Sequence, residues 1–154
     1  MALRRILTDK DEMLHKVCRP VDKFDSRLAT LLDDMHDTLN KAEGVGLAGP
    51  QVGICRRLFI MHLDDKRYEC INPEVSAREG KQYVQEGCLS CPNVWGYVTR
   101  PERCHLKAQD RNGEWYEQEV EDLFAQAVCH ELDHLDGVLF LEKVVEFIDP
   151  EEMQ

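Results

Sequence analysis

The stretch His130-Glu131-Leu132-Asp133-His134 constrains this chain more than any other. Residues four apart lie on one face of a helix, a single turn from each other. Two imidazoles so placed can hold one metal ion, and the glutamate after the first can reach a water on that metal. The chemistry asks for a helix, and the flanking residues agree. Glu121 and Asp122 put negative charge at the expected start, which suits the helix dipole. Leu123, Ala127, His130 and His134 fall at spacings of four, three and four, a single stripe. Gly137 stands where a glycine commonly closes a helix. The pattern predicts a helix from about Asp122 to Asp136, with its histidines at the wall of a core. Two protein ligands leave a tetrahedral site incomplete, so a third must come from elsewhere in the chain.

Length and charge bound the setting. A chain of 154 residues with 43% apolar content is long enough for a real core, and residues 1–154 read as one domain. A net charge of −11 argues against a nucleic-acid surface and against anionic membranes. No apolar run approaches a membrane span, and no signal-peptide core follows the basic start from Met1 to Arg5. Seven cysteines, an odd number, read as reduced thiols of a cytoplasmic protein. Most are expected to be small buried side chains, with at least one able to serve as a ligand.

Asp25 to Glu43 reads as an amphipathic helix with Leu28, Leu31, Leu32, Met35 and Leu39 on its apolar stripe, capped by Asp25-Ser26 and ending at Gly44. A glycine-rich stretch follows, then short β-like runs at Arg57–Leu63, Arg67–Ile71, Tyr83–Gln85, Cys104–Gln109 and Trp115–Glu119. Asp64-Asp65 and Arg111-Asn112-Gly113 look like hairpin turns, and Asn72-Pro73 is expected to end a strand. A helix, several strands and a final motif-bearing helix give an α+β fold, mostly antiparallel strands packed around that helix.

Several groups could complete the site. His15, His36, His62 and His105 are isolated and read as structural or surface residues. Glu142 and Glu146 lie downstream, as in many zinc proteases, but only 17 residues follow Gly137, which leaves little room for a supporting helix. Gln85-Glu86-Gly87-Cys88-Leu89-Ser90-Cys91-Pro92 reads as a turn presenting a thiol, with Pro92 ending the segment. A thiolate with two imidazoles suits zinc or ferrous iron. Cys88 and Cys91 with both histidines could instead close a structural Cys2His2 site. Against that, 38 residues separate Cys91 from His130, and such a site has no use for Glu131.

Three segments taken together resemble the signature motifs of the peptide deformylase family. They are Gly44-Val45-Gly46-Leu47-Ala48-Gly49-Pro50-Gln51, Glu86-Gly87-Cys88-Leu89-Ser90, and His130-Glu131-Leu132-Asp133-His134-Leu135-Asp136-Gly137. Leu14-His15-Lys16-Val17-Cys18-Arg19-Pro20-Val21 also resembles the start of the family, and the similarity covers nearly the whole chain. The resemblance implies hydrolysis of the N-formyl group from formyl-methionyl peptides of newly made proteins. It implies one divalent metal, commonly Fe2+ with Zn2+, Ni2+ or Co2+ substituting, held by Cys88, His130 and His134. It makes Glu131 the general base for the attacking water, and gives the oxyanion to Gln51 and the backbone N–H of Leu89. Val45 and Gly46 would pair with the substrate backbone, and Glu86 would orient a ligand histidine. Gly87, Trp95, Leu123, Gln126 and Ala127 would complete the substrate pocket, and the protein is expected to be a monomer.

The chain departs from the family pattern at several points. Gly49 replaces the usual Ala and Cys129 the usual Gln, and neither removes a reacting group. Gln126 sits one turn before His130, where the family usually has an apolar residue lining the methionine pocket. Trp95 replaces an Arg common at the rim of that pocket. Bacterial relatives continue with a basic helix that docks on the ribosome. The run from Phe147 to Gln154 is acidic instead, so weak or no ribosome affinity is expected through it.

Overall fold

The computed structural model describes residues 2–149 and 151. Met1 lies outside them, as do Pro150, Glu152, Met153 and Gln154, so half of the acidic run from Phe147 to Gln154, and the expectation placed on it, falls outside the described residues. Helix α1 spans Ser26–Ala42 and helix α2 spans Asp122–Leu135. Eight strands accompany them: β1 Gly46–Ala48, β2 Leu58–Leu63, β3 Lys66–Glu79, β4 Gln82–Cys88, β5 Cys91–Arg100, β6 Arg103–Gln109, β7 Trp115–Glu121 and β8 Glu146–Ile148. They form a five-stranded sheet in the order β1-β2-β3-β6-β7 and a three-stranded sheet in the order β4-β5-β8. Every pairing between named strands is antiparallel, as expected for the α+β fold.

Strand β2 shows how the layers are built. Its side chains alternate, and both faces are covered. Leu58 and Ile60 meet the α1 stripe of Leu28, Leu31, Leu32, Met35 and Leu39. Phe59 and Met61 turn the other way and pack with Ala125, Val128, Cys129 and Leu135 of α2. Each fully buried Leu, Ile or Phe here contributes about 1.5–3 kcal/mol relative to exposure. The sheet thus holds α1 on one side and the motif helix on the other. A third cluster of Leu14, Cys91, Val98, Leu139 and Phe140 lies under the smaller sheet.

The helix ends follow local chemistry. The Asp25 carboxylate accepts from the Leu28 N–H, which caps α1 as expected. The left-handed residue that closes α1 is Glu43, at φ 56°, one position before the expected Gly44. Gly44 is needed for space instead, because a Cβ there would meet Leu39 and Leu89 at 2.9 Å. Gly137 closes α2 at φ +76°, and a Cβ there would press on the His15 carbonyl at 2.7 Å.

Two expected breaks are not breaks. Asn72-Pro73 does not end a strand. β3 runs on to Glu79 through an irregularity between Ile71 and Glu74, where Asn72 takes φ 51° and its side chain bonds Val21 instead. Pro92 does not end its segment either. The strand pair shifts register between Gly87 and Cys88, so residues 92–94 bulge away from β4. β8 pairs only with Trp95, Gly96 and Tyr97, so the missing N–H of Pro92 costs no ladder bond.

A polar network ties α1 to the sheet. His36 is buried and bonds Glu69 through Nε2 at 2.8 Å and His62 through Nδ1 at 2.8 Å. Arg111 adds contacts to Glu69 at 2.6 and 3.0 Å. Burial alone raises the Glu69 carboxyl, but Arg111 and His36 more than reverse this and hold it at about 2. A carboxylate held below its unfolded value stabilises the fold above the unfolded pKa, and that stabilisation is lost as pH falls through the folded one. Urea unfolding between pH 7 and 2 should therefore show stability falling from about pH 4.5 to about 2. Glu69→Gln should cost about 1–3 kcal/mol at pH 7 and flatten part of that fall.

Candidate metal centre

The motif helix and the β4–β5 turn meet at one point. The Cys88 sulfur and one nitrogen each of His130 and His134 all lie within 4.8 Å of one another, the one such cluster of three metal-ligating side chains among the described residues. Cys88 Sγ stands 3.4 Å from His134 Nε2. Two donors on a tetrahedral metal with bonds near 2.0 and 2.3 Å stand roughly 3.5 Å apart, so the pair fits a common metal. His130 uses Nδ1 to bond Glu86 at 2.6 Å, which leaves Nε2 for the centre. Two imidazoles and a thiol, mostly buried and converging, are a donor set for a transition metal.

Glu131 lies beside this cluster, 4% exposed, and its Oε1 has no hydrogen-bond partner among the described residues. Burial is the main cause that pushes its carboxyl up, to about 7. Such a group can take and return a proton near neutral pH. It reaches this position because residue 46 is glycine. A Cβ at Gly46 would stand 2.6 Å from Glu131 Oε2.

Gln51 approaches from the other side. Its Oε1 accepts from the Ala48 N–H at 2.9 Å, which fixes the orientation of the amide. Its Nε2 donates to Ser90 Oγ at 3.0 Å and points at Cys88 Sγ at 3.6 Å. Leu89 sits in the two-residue turn beside Cys88, with its side chain packed toward α1. The N-terminal segment straps both donors' neighbourhoods from behind, through Leu7 N–H to the Gln51 carbonyl and Asp9 N–H to the Ser90 carbonyl, each 2.8 Å.

The centre opens onto a cleft of about 520 Å³. Val45 and Gly46 line one side, at the outer edge of the larger sheet. Gly87 lines the other, on the edge strand β4 of the smaller sheet. Trp95 lays its ring over Gly87, where any Cβ would sit 2.5 Å from the ring. Leu123, Gln126 and Ala127 form the helix wall. All thirteen site residues expected from the sequence lie at the centre, its cleft or the amide beside it. The rival ligands stay away: Glu142 Oε2 accepts from the Leu139 N–H, and Glu146 lies in β8.

Arg100 carries no signal in the sequence. It is 3% exposed and holds Glu86 by two contacts at 2.7 and 2.8 Å and Asp133 of α2 by a third at 2.8 Å. Burial raises the Glu86 carboxyl, but Arg100 and then His130 outweigh it and bring it to about 2. Nothing near Arg100 in the chain signals this, because its partners lie 14 and 33 residues away. Ser90 was also not singled out, although the resemblance contains it.

One thiol and two imidazoles, beside a buried carboxylate with one oxygen unpartnered among the described residues and on an open cleft, define a mononuclear metallohydrolase site. The family model for polypeptide deformylase matches residues 3–148. Peptide deformylases of Caldicellulosiruptor bescii and Acetivibrio thermocellus are each 51% identical to this chain over all of it, covering 93% and 91% of their own lengths. The crystal structure of peptide deformylase from Thermotoga maritima superposes with a TM-score of 0.92 at 37% identity, covering 94% of this chain and 99% of that one. The chain belongs to the peptide deformylase family.

Two substitutions test how the site is held. Gly46→Ala should displace Glu131 and lower turnover at least tenfold while metal content, read by elemental analysis, stays near wild type. Glu86→Gln removes the charge that orients His130 and should weaken metal affinity or turnover by roughly 10–100-fold. Unchanged metal affinity and turnover in Glu86→Gln would refute its orienting role.

Proposed function

We propose that this cleft is where the enzyme removes the N-terminal formyl group from formyl-methionyl peptides of newly made proteins. Metal-dependent deformylation is the activity of its family. The observation that carries the assignment is the convergence of Cys88, His130 and His134 within 4.8 Å beside a Glu131 carboxylate oxygen that has no partner among the described residues. In this reading Cys88, His130 and His134 hold one divalent metal, Fe2+ natively, with Zn2+, Ni2+ or Co2+ able to replace it. When bound, the metal acts as a Lewis acid and makes a water nucleophilic at neutral pH.

The chain's own groups do the rest. The Glu131 carboxylate takes a proton from the attacking water and gives it to the leaving amine nitrogen, a reversible role that a pKa near neutrality suits. Gln51 Nε2 and the Leu89 N–H donate to the formyl oxygen as negative charge develops there. The Gln51 amide is already oriented by Ala48, so this donation needs little reorganisation. Val45 and Gly46 lie on a sheet edge, which favours pairing with an extended peptide backbone. Gly87, opposite, leaves room for that backbone. Trp95, Leu123, Gln126 and Ala127 receive the first side chain. Gln126 Nε2 donates to the Gln85 carbonyl at 3.1 Å and lies 3.3 Å from Glu86 Oε2, so its polar end is turned into the protein. That leaves its methylene carbons for an apolar side chain.

No described helix is long and apolar enough to cross a membrane. The seven free thiols support a cytoplasmic reading, and the net charge of −11 supports no nucleic-acid binding and weak or no ribosome affinity through the acidic C-terminal run; the reading is of a monomeric catalytic domain.

The test compares Glu131→Gln with Cys91→Ser, using formyl-Met-Ala-Ser and its acetylated analogue. Glu131→Gln should lose at least 10²–10⁴-fold in turnover and keep its metal. Cys91→Ser should leave both essentially unchanged, and wild type should act on the formyl peptide alone. A structural zinc site would give the reverse: loss of metal in Cys91→Ser and a silent Glu131→Gln.

A further inference from the structure

Six of the seven cysteines stand in three neighbouring pairs: Cys88 with Cys91, register partners across the β4–β5 turn, Cys104 with Cys129, and Cys18 with Cys55. The first pair belongs to the metal centre. The second is enclosed between β6 and α2, with Cys104 fully buried and Cys129 at 7% exposure. The third lies away from the cleft. Cys18 is buried, and Cys55 is half-buried with a face to solvent.

The backbone sets these two thiols side by side. Arg19 and Arg56 form a parallel bridge, with Arg19 N–H donating to the Cys55 carbonyl at 3.4 Å and Arg57 N–H to the Arg19 carbonyl at 2.8 Å. Cys18 and Cys55 each precede a bridge partner by one residue. They are therefore lateral neighbours whose side chains leave the same face. Paired segments run about 4.8 Å apart, inside the roughly 4.4–6.8 Å Cα separation that a disulfide spans. Both segments are held. Cys18 N–H donates to the Leu135 carbonyl at 2.8 Å, and Arg57 Nη1 reaches the same carbonyl at 3.1 Å.

We propose that Cys18 and Cys55 form a thiol–disulfide exchange site that low-molecular-weight disulfides oxidise. Cys55, the accessible member, attacks one sulfur of the small disulfide, forms a mixed disulfide and releases one thiol. Cys18 then attacks the Cys55 sulfur, closes the protein disulfide and releases the second thiol. Two electrons pass from the protein pair to the oxidant, and the two thiol protons end on the released thiols. Burial, with Cys55 beside it, pushes Cys18 up to about 12, which makes ring closure the slower step. The bond closes the chain from residue 19 to residue 54, which contains α1 and the glycine-rich segment with Gln51. Its effect falls on stability, because neither thiol touches the cleft.

The metal-loaded full chain is incubated with oxidised glutathione and then read by intact mass, peptide mapping and thermal unfolding. The expected product is lighter by about 2 Da, with the Cys18 peptide joined to the Cys55 peptide. Its Tm should rise by roughly 3–10 °C and return on reduction with dithiothreitol. Cys18→Ala should stop at glutathione held on Cys55, and Cys55→Ser should prevent the Cys18 linkage. Wild type that keeps a stable glutathione adduct, stays unmodified, or joins Cys104 to Cys129 with Cys18 and Cys55 free overturns the proposal.

Discussion

The buried Arg100 guanidinium is the interaction on which the site's geometry depends. It leaves the end of β5, grips Glu86 on β4 with two nitrogens and reaches Asp133 on α2 with the third. Taking these charges out of water is costly, and an apolar replacement could match their stability. Removing one partner alone is another matter, costing about 3–5 kcal/mol because a buried charge is left uncompensated. The network's value is positional. The Cys88 thiol sits on the smaller sheet and both imidazoles on α2, so the three converge only if these bodies keep their spacing. A planar, bidentate guanidinium fixes distance and angle in a way a lysine could not. Glu86 then carries the constraint into the centre, because the oxygen that meets Arg100 Nη2 also bonds His130.

Close approach supplies the second constraint. Glu131 can stand beside the centre only because β1 passes it with a glycine, and Trp95 can wall the cleft only because β4 passes it with another. The same closeness withdraws Glu131 from water and raises its carboxyl toward neutrality. One choice of residue at position 46 thus acts on both geometry and proton affinity. Side chains of α1 and α2 complete the effect by burying both faces of β2, so the edge formed by β1 has a rigid backing.

How much of this was legible in the sequence follows from where the information lies. α1 and α2 were readable because each repeats an apolar stripe over several turns, α1 with a capping aspartate at its start and α2 with acidic residues before it and Gly137 after it. β2, β6 and β7 were readable as alternating or β-rich runs. β1 and β8 have three residues each, too few to show a period. β5 was hidden by Pro92, Asn93 and Gly96, which mark a turn in isolation and a bulge or close contact in place. The histidines and Glu131 declared themselves by spacing. Cys88 did not, since Cys91 offered the same chemistry, and only the resemblance separated them. Arg100 was invisible, because a buried arginine reads like any surface one until its distant partners are known.

Gln126 shows why these levels cannot be separated. A polar residue on the wall of an apolar pocket looks like a change of substrate preference. Its amide, however, is spent on the Gln85 carbonyl and on Glu86, inside the wall. The pocket therefore gains a methylene surface, while the carboxylate that orients His130 gains another donor. An apolar residue at 126 would line the pocket equally well but would leave Glu86 to Arg100 and His130 alone. The departure from the family pattern is thus felt more at His130 than in the cleft. Position 126 belongs to the support of the centre as much as to the pocket it faces.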